Sequence, residues 1–253
     1  MEPYAWIIGG GLAVGLLYGL FGVGSAFATP VLSVLGVPGM AAVVGPLPGL
    51  VPGSAAGAWS YSRGGKVQWT IARRTLATAV PASVLGALAS PHVGGPILLA
   101  LSGLVLLLVG VRVLRPLSSA ASARAATRRD SRVFVMTVAA GVGFASGLLA
   151  NGGGFLLVPL FLLTLGLSMN EATGTSLVVA TALSVPTLLT HAVLGDIDWA
   201  VSVVFAVGLL PGVAVGGRLA QRVPGGRLRA GFGVLLVGFA VWFLVRLLLG
   251  VLG

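Results

Sequence analysis

The sequence predicts an all-α integral membrane protein made of two repeated halves, and two observations carry this prediction. First, 57% of the 253 residues are hydrophobic and only 8% are charged, with a mean hydropathy of +1.08. Soluble domains carry about 25% charged residues, so a soluble fold of this size could not bury so much apolar surface. Second, landmark residues of the first half recur in the second half at a nearly constant offset.

The apolar residues fall into eight runs, and a membrane-spanning helix needs about 20 of them. The runs cover residues 4–36, 39–61, 70–90, 95–114, 133–167, 172–194, 198–217 and 228–252. The first run lacks a basic start and is too long for a cleaved signal, so we expect it to be retained. The most basic connector divides the chain into a first repeat (1–115), a basic cytoplasmic linker (116–131) and a second repeat (132–253).

The repeat rests on four pairs of landmarks. Trp69 and Trp199 are 130 residues apart, as are Pro81 and Pro211. The other two pairs are Pro30 with Pro159, at 129, and Gly94-Gly95 with Gly225-Gly226, at 131. Gene duplication explains this pattern, and such repeats are common among transporters.

Each half opens with a segment that glycine and proline should break. The first contains Gly22-Val23-Gly24-Ser25 before Pro30, and the second contains Asn151-Gly152-Gly153-Gly154 before Pro159. Each glycine costs about 0.8–1 kcal/mol against alanine in a helix interior, and proline removes a backbone donor. We therefore expect each segment to unwind near its middle and form a hairpin, followed by three transmembrane helices.

The distribution of basic residues favours inverted repeats. If each broken segment goes in and returns, cytoplasmic loops hold 14 of the 15 Lys and Arg residues, whereas simple crossings keep 10 inside. Short cytoplasmic loops are enriched in Lys and Arg. We therefore expect the second half to be inverted relative to the first, with the basic loops cytoplasmic and both termini outside.

The glycine breaks are the strongest candidates for a substrate site. An interrupted helix exposes unpaired amides and the positive end of its dipole, and such ends suit anions. The predicted binding residues are Gly22, Gly24, Ser25, Asn151, Gly152, Gly153 and Gly154. For isolated glycines such as Gly15, Gly19 and Gly143, close helix packing is the favoured interpretation.

A second element, Gly174-Thr175-Ser176, follows Asn170-Glu171-Ala172. Asn170 or Glu171 could cap the helix, and Thr175 and Ser176 could face the cavity or bond back to their own helix. The aligned residues of the first half, Gly45-Pro46-Leu47, lack both hydroxyls. Glu171 and His191 are possible proton carriers because ionisable residues are rare in membrane segments, although both could lie at the interface.

The composition excludes several classes of function. With no cysteine, two histidines and five acidic residues, the chain shows no metal-ligand cluster and no nucleophile–base pair, so we expect no enzyme, metal or cofactor. The net charge of +10 comes from loops between apolar runs and therefore indicates topology and contact with anionic lipid rather than nucleic-acid binding.

The sequence resembles the sulfite exporter TauE/SafE family over nearly its whole length. The resemblance lies in the run 143–159 with its Asn-Gly-Gly-Gly core, in Glu171-Ala-Thr-Gly-Thr-Ser176, in Gly195-Asp-Ile-Asp-Trp199 and in the segment 228–243. It implies a bacterial-type inner-membrane permease for sulfite, sulfonates or related organic acids. The first half departs from the pattern, because Gly24-Ser25-Ala26 stands where three glycines are typical.

Together these features predict a secondary transporter for a small anion in the cytoplasmic membrane. Its two broken segments would meet near the midplane and the halves would rock around them, with protons as a possible coupling ion and a homo-oligomer possible. Two alternatives remain open: an anion channel and a non-transporting membrane accessory subunit.

Overall fold

A computed structural model describes residues 2–37, 39–93, 104, 107–115, 131–148, 154–195 and 197–249, and over these residues it contains ten α-helices and no β-strand. The helices are α1 Glu2–Phe21, α2 Gly24–Val34, α3 Gly39–Val44, α4 Leu47–Arg63, α5 Trp69–Val93, α6 Arg132–Leu148, α7 Gly154–Thr164, α8 Met169–Leu194, α9 Trp199–Arg222 and α10 Gly225–Leu248. Residues 107–114 are also helical. Most of the predicted linker, 116–130, lies outside the described residues.

Three of the described helices are long and apolar enough to cross a membrane. Their apolar stretches are Tyr4–Phe21, Trp199–Arg222 and Gly225–Arg246, with mean hydropathies of 1.6, 2.1 and 2.1. Large apolar side chains cover their outer faces, including Trp6, Val203 and Leu248. An apolar exterior of this extent is the surface of a protein that is solvated by lipid. The prediction of an all-α membrane protein is confirmed.

The first broken segment folds back on itself. α1 ends at Phe21 and α2 starts at Gly24, and α2 returns along α1, because a Cβ on Gly10 would lie within 2.9 Å of the side chains of Val31 and Leu35. The break falls at the glycines, whereas α2 continues through Pro30. Proline is tolerated within membrane helices when neighbours satisfy the backbone.

The run 39–61 differs from its expected form, because it is divided into α3 and α4 at Gly45-Pro46. Pro46 precedes α4, and the ring of proline disfavours helical conformation in the residue before it. The aligned helix of the second half, α8, passes through Gly174-Thr175-Ser176 without interruption.

Glycines set the packing of α1 with α9, the helix pair in most extensive contact among the described residues. Gly11, Gly15 and Gly19 lie directly against the backbone of α9, and Gly208, Gly212 and Gly216 lie against the backbone of α1. Small residues at four-residue spacing let membrane helices approach closely. The same packing occurs between α5 and α6, where Gly143 lies against the backbone of Ala79. The packing interpretation of Gly15, Gly19 and Gly143 is therefore confirmed.

The loops that join these helices exchange contacts between the two halves. The backbone N–H of Gln68, before α5, donates to Thr175 Oγ1 of α8 (3.0 Å). Ile197, before α9, packs with Val44 and Leu47 at the junction of α3 and α4. α4 and α8, one from each half, also pack against each other.

Candidate functional site

The break between α1 and α2 is a tight turn at Gly22 and Val23. Gly22 has a φ of +73°, a left-handed conformation that costs glycine nothing and other residues strain. Its N–H donates to the carbonyl of Tyr18 (2.8 Å). Gly22, Val23 and Gly24 are all buried, so the new helix α2 starts inside the protein.

The N-terminus of α2 has no side-chain cap. Val23 occupies the N-cap position and makes no side-chain hydrogen bond. The first amides of a helix have no partner within that helix, and its dipole places partial positive charge there. Gly24 and Ser25 stand in this first turn, and of Ser25 the backbone alone is described. A buried, uncapped helix N-terminus of this kind suits an anion.

Residues of the second half enclose this break. A Cβ on Gly22 would lie 3.2 Å from Val158 Cγ2, 3.3 Å from Thr173 Cγ2 and 3.4 Å from Ser176 Oγ. Val158 belongs to α7, and the two hydroxyl residues belong to α8. The structure therefore brings together two of the predicted binding residues, Gly22 and Ser176, across the boundary between the halves.

Three neighbouring polar residues of α8 are fully buried, namely Thr173, Thr175 and Ser176. Thr173 Oγ1 has no hydrogen-bond partner among the described residues. Leaving a buried polar group unsatisfied costs about 1–3 kcal/mol, so the Thr173 hydroxyl is a candidate donor to a bound group, although the Thr173 atom that adjoins Gly22 is the methyl carbon Cγ2. Thr175 Oγ1 instead accepts the hydrogen bond from the N–H of Gln68, which turns it toward the loop of the first half.

Glu171 closes the N-terminus of α8. Its Oε2 accepts hydrogen bonds from the N–H (3.0 Å) and the hydroxyl (2.8 Å) of Ser168, and Ser168 Oγ accepts from the N–H of Glu171 (3.4 Å). This is a capping box. Its Oε1 accepts from Gln68 Nε2 (2.6 Å). Both carboxylate oxygens thus hold α8 to its own start and to the loop before α5.

Several of the predicted site residues lie outside the described residues or have side chains that are not described. Asn151, Gly152 and Gly153 lie outside the described residues, and Gly154 is the first residue of α7. His191 lies in the last turn of α8, and its side chain is not described. The second break can thus be located only by the end of α6 and the start of α7.

Two buried tyrosines near the break were missed from the sequence. Tyr18 is fully enclosed, is hydrogen-bonded to the Ser54 side chain, and lies where a Cβ on Gly24 would clash with its ring. The hydroxyl of Tyr61 donates to the carbonyl of Gly19 (2.9 Å). Their position inside apolar runs could have identified them, because the hydroxyl of a buried tyrosine usually needs a hydrogen-bond partner.

Comparison with known proteins places the chain in a family. Residues 7–243 match the family model described as sulfite exporter TauE/SafE. Two relatives, each described as a probable membrane transporter protein, come from Xylella fastidiosa strains 9a5c and Temecula1. Each is 30% identical over 250 residues, which cover 94% of this chain and 94% of the relative. No solved structure matches significantly.

The family model and both relatives extend over nearly the whole chain, including the break at Gly22 and the buried hydroxyls of α8. This chain therefore belongs to the sulfite exporter TauE/SafE family of membrane transporters.

Proposed function

We propose that this protein is a secondary transporter that moves a small anion across the cytoplasmic membrane, and that the anion binds at the break between α1 and α2. The substrate class is sulfite, a sulfonate or a related organic acid. Membership of the family supports transport, and one observation carries the site: the uncapped N-terminus of α2 is buried against Thr173, whose methyl carbon adjoins Gly22 and whose hydroxyl has no hydrogen-bond partner among the described residues.

The anion accepts hydrogen bonds from the backbone amides of Gly24 and Ser25 and from the hydroxyl of Thr173, and Ser176 lines the same turn. The amide of Ala26 already donates to the carbonyl of Val23 (3.2 Å). The three atoms closest to the Cβ position of Gly22 belong to uncharged side chains. A site made of amides and hydroxyls holds an anion without a permanent counter-charge, so binding is reversible. The start of α7 adjoins the same turn, because α7 starts at Gly154 and carries Val158, which adjoins Gly22.

The two halves form inverted repeats that rock around this site. The reciprocity of their contacts supports this arrangement. α1 packs on α9, and α6 packs on α5. Because α5 and α9 begin at the aligned residues Trp69 and Trp199, the first helix of each half lies against the same repeat position of the other half. The loop residue Gln68 contacts Thr175, and Ile197 contacts Leu47 near the aligned position of the first half.

The end of the protein that carries the basic loops, here called the basic end, faces the cytoplasm. Four loop regions meet at this end. Gln68 bonds Glu171, Gln221 Nε2 donates to Ser60 Oγ (3.0 Å), and Arg229 bonds the carbonyl oxygens of Val113 and Arg115. Positively charged loops are retained on the cytoplasmic side, which supports this orientation.

Flux of sulfite into proteoliposomes tests the site when wild type is compared with Thr173→Val. The substitution keeps the shape of the side chain and removes the hydroxyl. A hydrogen bond to a charged group is worth about 1.5–3 kcal/mol, so the half-saturating concentration should rise roughly tenfold or more. Thr181→Val is the control, because Thr181 lies on the same helix and its hydroxyl donates to the carbonyl of Leu177 (2.7 Å).

Equal flux in the two variants would refute the site at the break. Flux that does not saturate, with steady single-channel currents, would identify a channel instead. No flux from inserted, folded wild type would identify an accessory subunit.

A further inference from the structure

Residues 107–115 present a mixed basic and apolar face at the basic end of the protein. The segment packs on α10, where a Cβ on Gly110 would lie 2.9 Å from Val237 Cγ2 and one on Gly233 would lie 2.7 Å from Leu114 Cγ. On another side Leu108 is 61% exposed and Val111 is 37% exposed. Arg112 and Arg115 are also exposed.

This face borders a groove. The groove has a volume of about 460 Å³ and is lined by Leu108, Val109, Val111, Arg112, Arg115 and Leu163. Such a volume lies in the range of pockets that hold small ligands, about 300–1,000 Å³. Leu163 belongs to the end of α7, so the groove lies between the segment 107–115 and α7. Its lining combines four aliphatic side chains with two guanidinium groups.

Arg229 fixes the basic end of the groove. Its Nε donates to the carbonyl of Val113 and its Nη2 donates to the carbonyl of Arg115, both at 3.0 Å. These bonds satisfy carbonyls at the end of the helical segment. Partial burial lowers the pKa of Arg229, and the nearby positive charge of Arg112 lowers it further.

The arginines lack a described acidic partner. Glu171 and Asp198 are the acidic residues whose side chains the structure describes. Glu171 is engaged with Ser168 and Gln68, and Asp198 accepts the N–H of Val201 at the start of α9. Among the described residues, therefore, no acidic side chain pairs with Arg112 or Arg115.

We propose that this groove is a binding site for an anionic phospholipid, with its phosphate on Arg112 and Arg115 and an acyl chain along Leu108, Val111 and Leu163. Guanidinium groups bind phosphate oxygens with paired, charge-assisted hydrogen bonds. Arg112 and Arg115 are three residues apart, so they share one face of a helix, and Leu108 lies one turn before Arg112 on that face. Lipid is the occupant because the aliphatic lining would gain nothing from a free phosphate.

The site is separate from the proposed transport site and does not depend on which anion is moved. Lipid binding can therefore be measured without transport. Purified wild type, the double variant R112Q/R115Q and the double variant R218Q/R222Q are each titrated with dioleoylphosphatidylglycerol or dioleoylphosphatidylcholine, and bound lipid is counted by native mass spectrometry. Arg218 and Arg222 are exposed residues of α9 outside the groove lining, so the control removes equal charge.

Wild type should bind phosphatidylglycerol in preference to phosphatidylcholine. R112Q/R115Q removes the charge-assisted hydrogen bonds to the phosphate, so it should weaken phosphatidylglycerol binding by at least about 30-fold. R218Q/R222Q should change it less than about threefold, and sn-glycerol 3-phosphate should not compete. Equal loss in both double variants would overturn the proposal, as would equal binding of the two lipids. Competition by the water-soluble glycerol phosphate would also overturn it, by showing an anion site without an acyl chain.

Discussion

Two independent constraints favour glycine at position 22. The φ of +73° at Gly22 disfavours any side chain, and atoms of Val158, Thr173 and Ser176 lie 3.2–3.4 Å from the position that a Cβ would occupy. The left-handed conformation costs a non-glycine residue about 1–2 kcal/mol. Both the turn and the enclosure of the α2 N-terminus therefore depend on glycine at this position.

Gly22→Ala should lower the melting temperature by a few degrees, since about 1 kcal/mol shifts Tm by 2–4 °C in a chain of this size. It should also reduce anion flux, because the new methyl group intrudes between the α2 amides and Thr173. The two effects are measured by thermal unfolding in detergent and by uptake into proteoliposomes. Gly238→Ala is the control, since a Cβ there meets nothing within 4 Å. Full flux in Gly22→Ala would argue against a ligand at the break.

The role of Glu171 can be tested with a substitution that removes its charge and preserves the capping box of α8. Glutamine serves at this position of a capping box as glutamate does. If Glu171 is structural, Glu171→Gln keeps transport and its pH dependence, while Glu171→Ala costs about 1 kcal/mol of stability. Uptake across a range of pH, with and without a proton gradient, provides the measurement. Loss of gradient-driven uptake in Glu171→Gln alone would instead assign proton coupling to Glu171.

At the residue scale the sequence predicted the break but not its surroundings. Gly22 and Gly24 could be found because helix-breaking residues act locally. Thr173 was overlooked beside Thr175 and Ser176, since which of three neighbouring hydroxyls meets a distant turn depends on the rotation of α8. Its lack of a partner is a property of the packed structure alone.

At the scale of elements, close glycine packing joins α1 to α9. A Cβ on Gly15 would clash with the backbone of Leu209 and lie 3.0 Å from the Cα of Gly212. Backbone cannot move aside as the end of a flexible side chain can. The helices would have to separate along their length.

Gly15→Ala should therefore destabilise the protein by about 1–3 kcal/mol, the usual cost of overpacking. Gly9→Ala on the same helix is the matched control, because a Cβ on Gly9 meets nothing within 4 Å. Alanine is also favoured over glycine in helices by up to about 1 kcal/mol, so Gly9→Ala should be neutral or stabilising. The melting temperatures of both variants, measured by thermal unfolding, test this prediction. Equal melting temperatures would show that α1 and α9 are not tightly packed at Gly15.

The elements themselves were predictable wherever a local signal existed. Apolar runs located most of the helices, and the first glycine break appears at Gly22. The division of α3 from α4 was missed, because Pro46 was read as a lost hydroxyl position rather than as a helix boundary. Conversely, Pro30 and Pro159 lie inside α2 and α7 although they were expected to contribute to the breaks.

At the scale of the whole molecule, the account requires the basic loops to share one side of the membrane. The chain contains no cysteine, so single cysteines can be introduced without background labelling of native thiols. A membrane-impermeant thiol reagent applied to intact cells should label Ala200→Cys and should not label Lys66→Cys or Arg227→Cys. All three positions are exposed, so permeabilised cells provide the control for reactivity. Labelling of Lys66→Cys and Arg227→Cys on opposite sides would refute the inverted arrangement.

The repeat offset and the charge distribution predict two inverted halves from the sequence, since each pattern is drawn from many residues along the chain. The contacts between halves, such as Gln68 with Glu171, could not be predicted from one sequence. They depend on how two halves dock, which neither apolar periodicity nor charge bias encodes.

The central claim is that the protein carries a small anion, and flux into proteoliposomes tests it most directly. Sulfite, sulfoacetate, sulfate, lactate and chloride are offered to wild type, with and without a pH gradient. The account predicts saturable uptake of a sulfur oxyanion, a sulfonate or a carboxylate, with much weaker uptake of chloride. No flux of any of these anions, from protein shown to be folded and inserted, would contradict it.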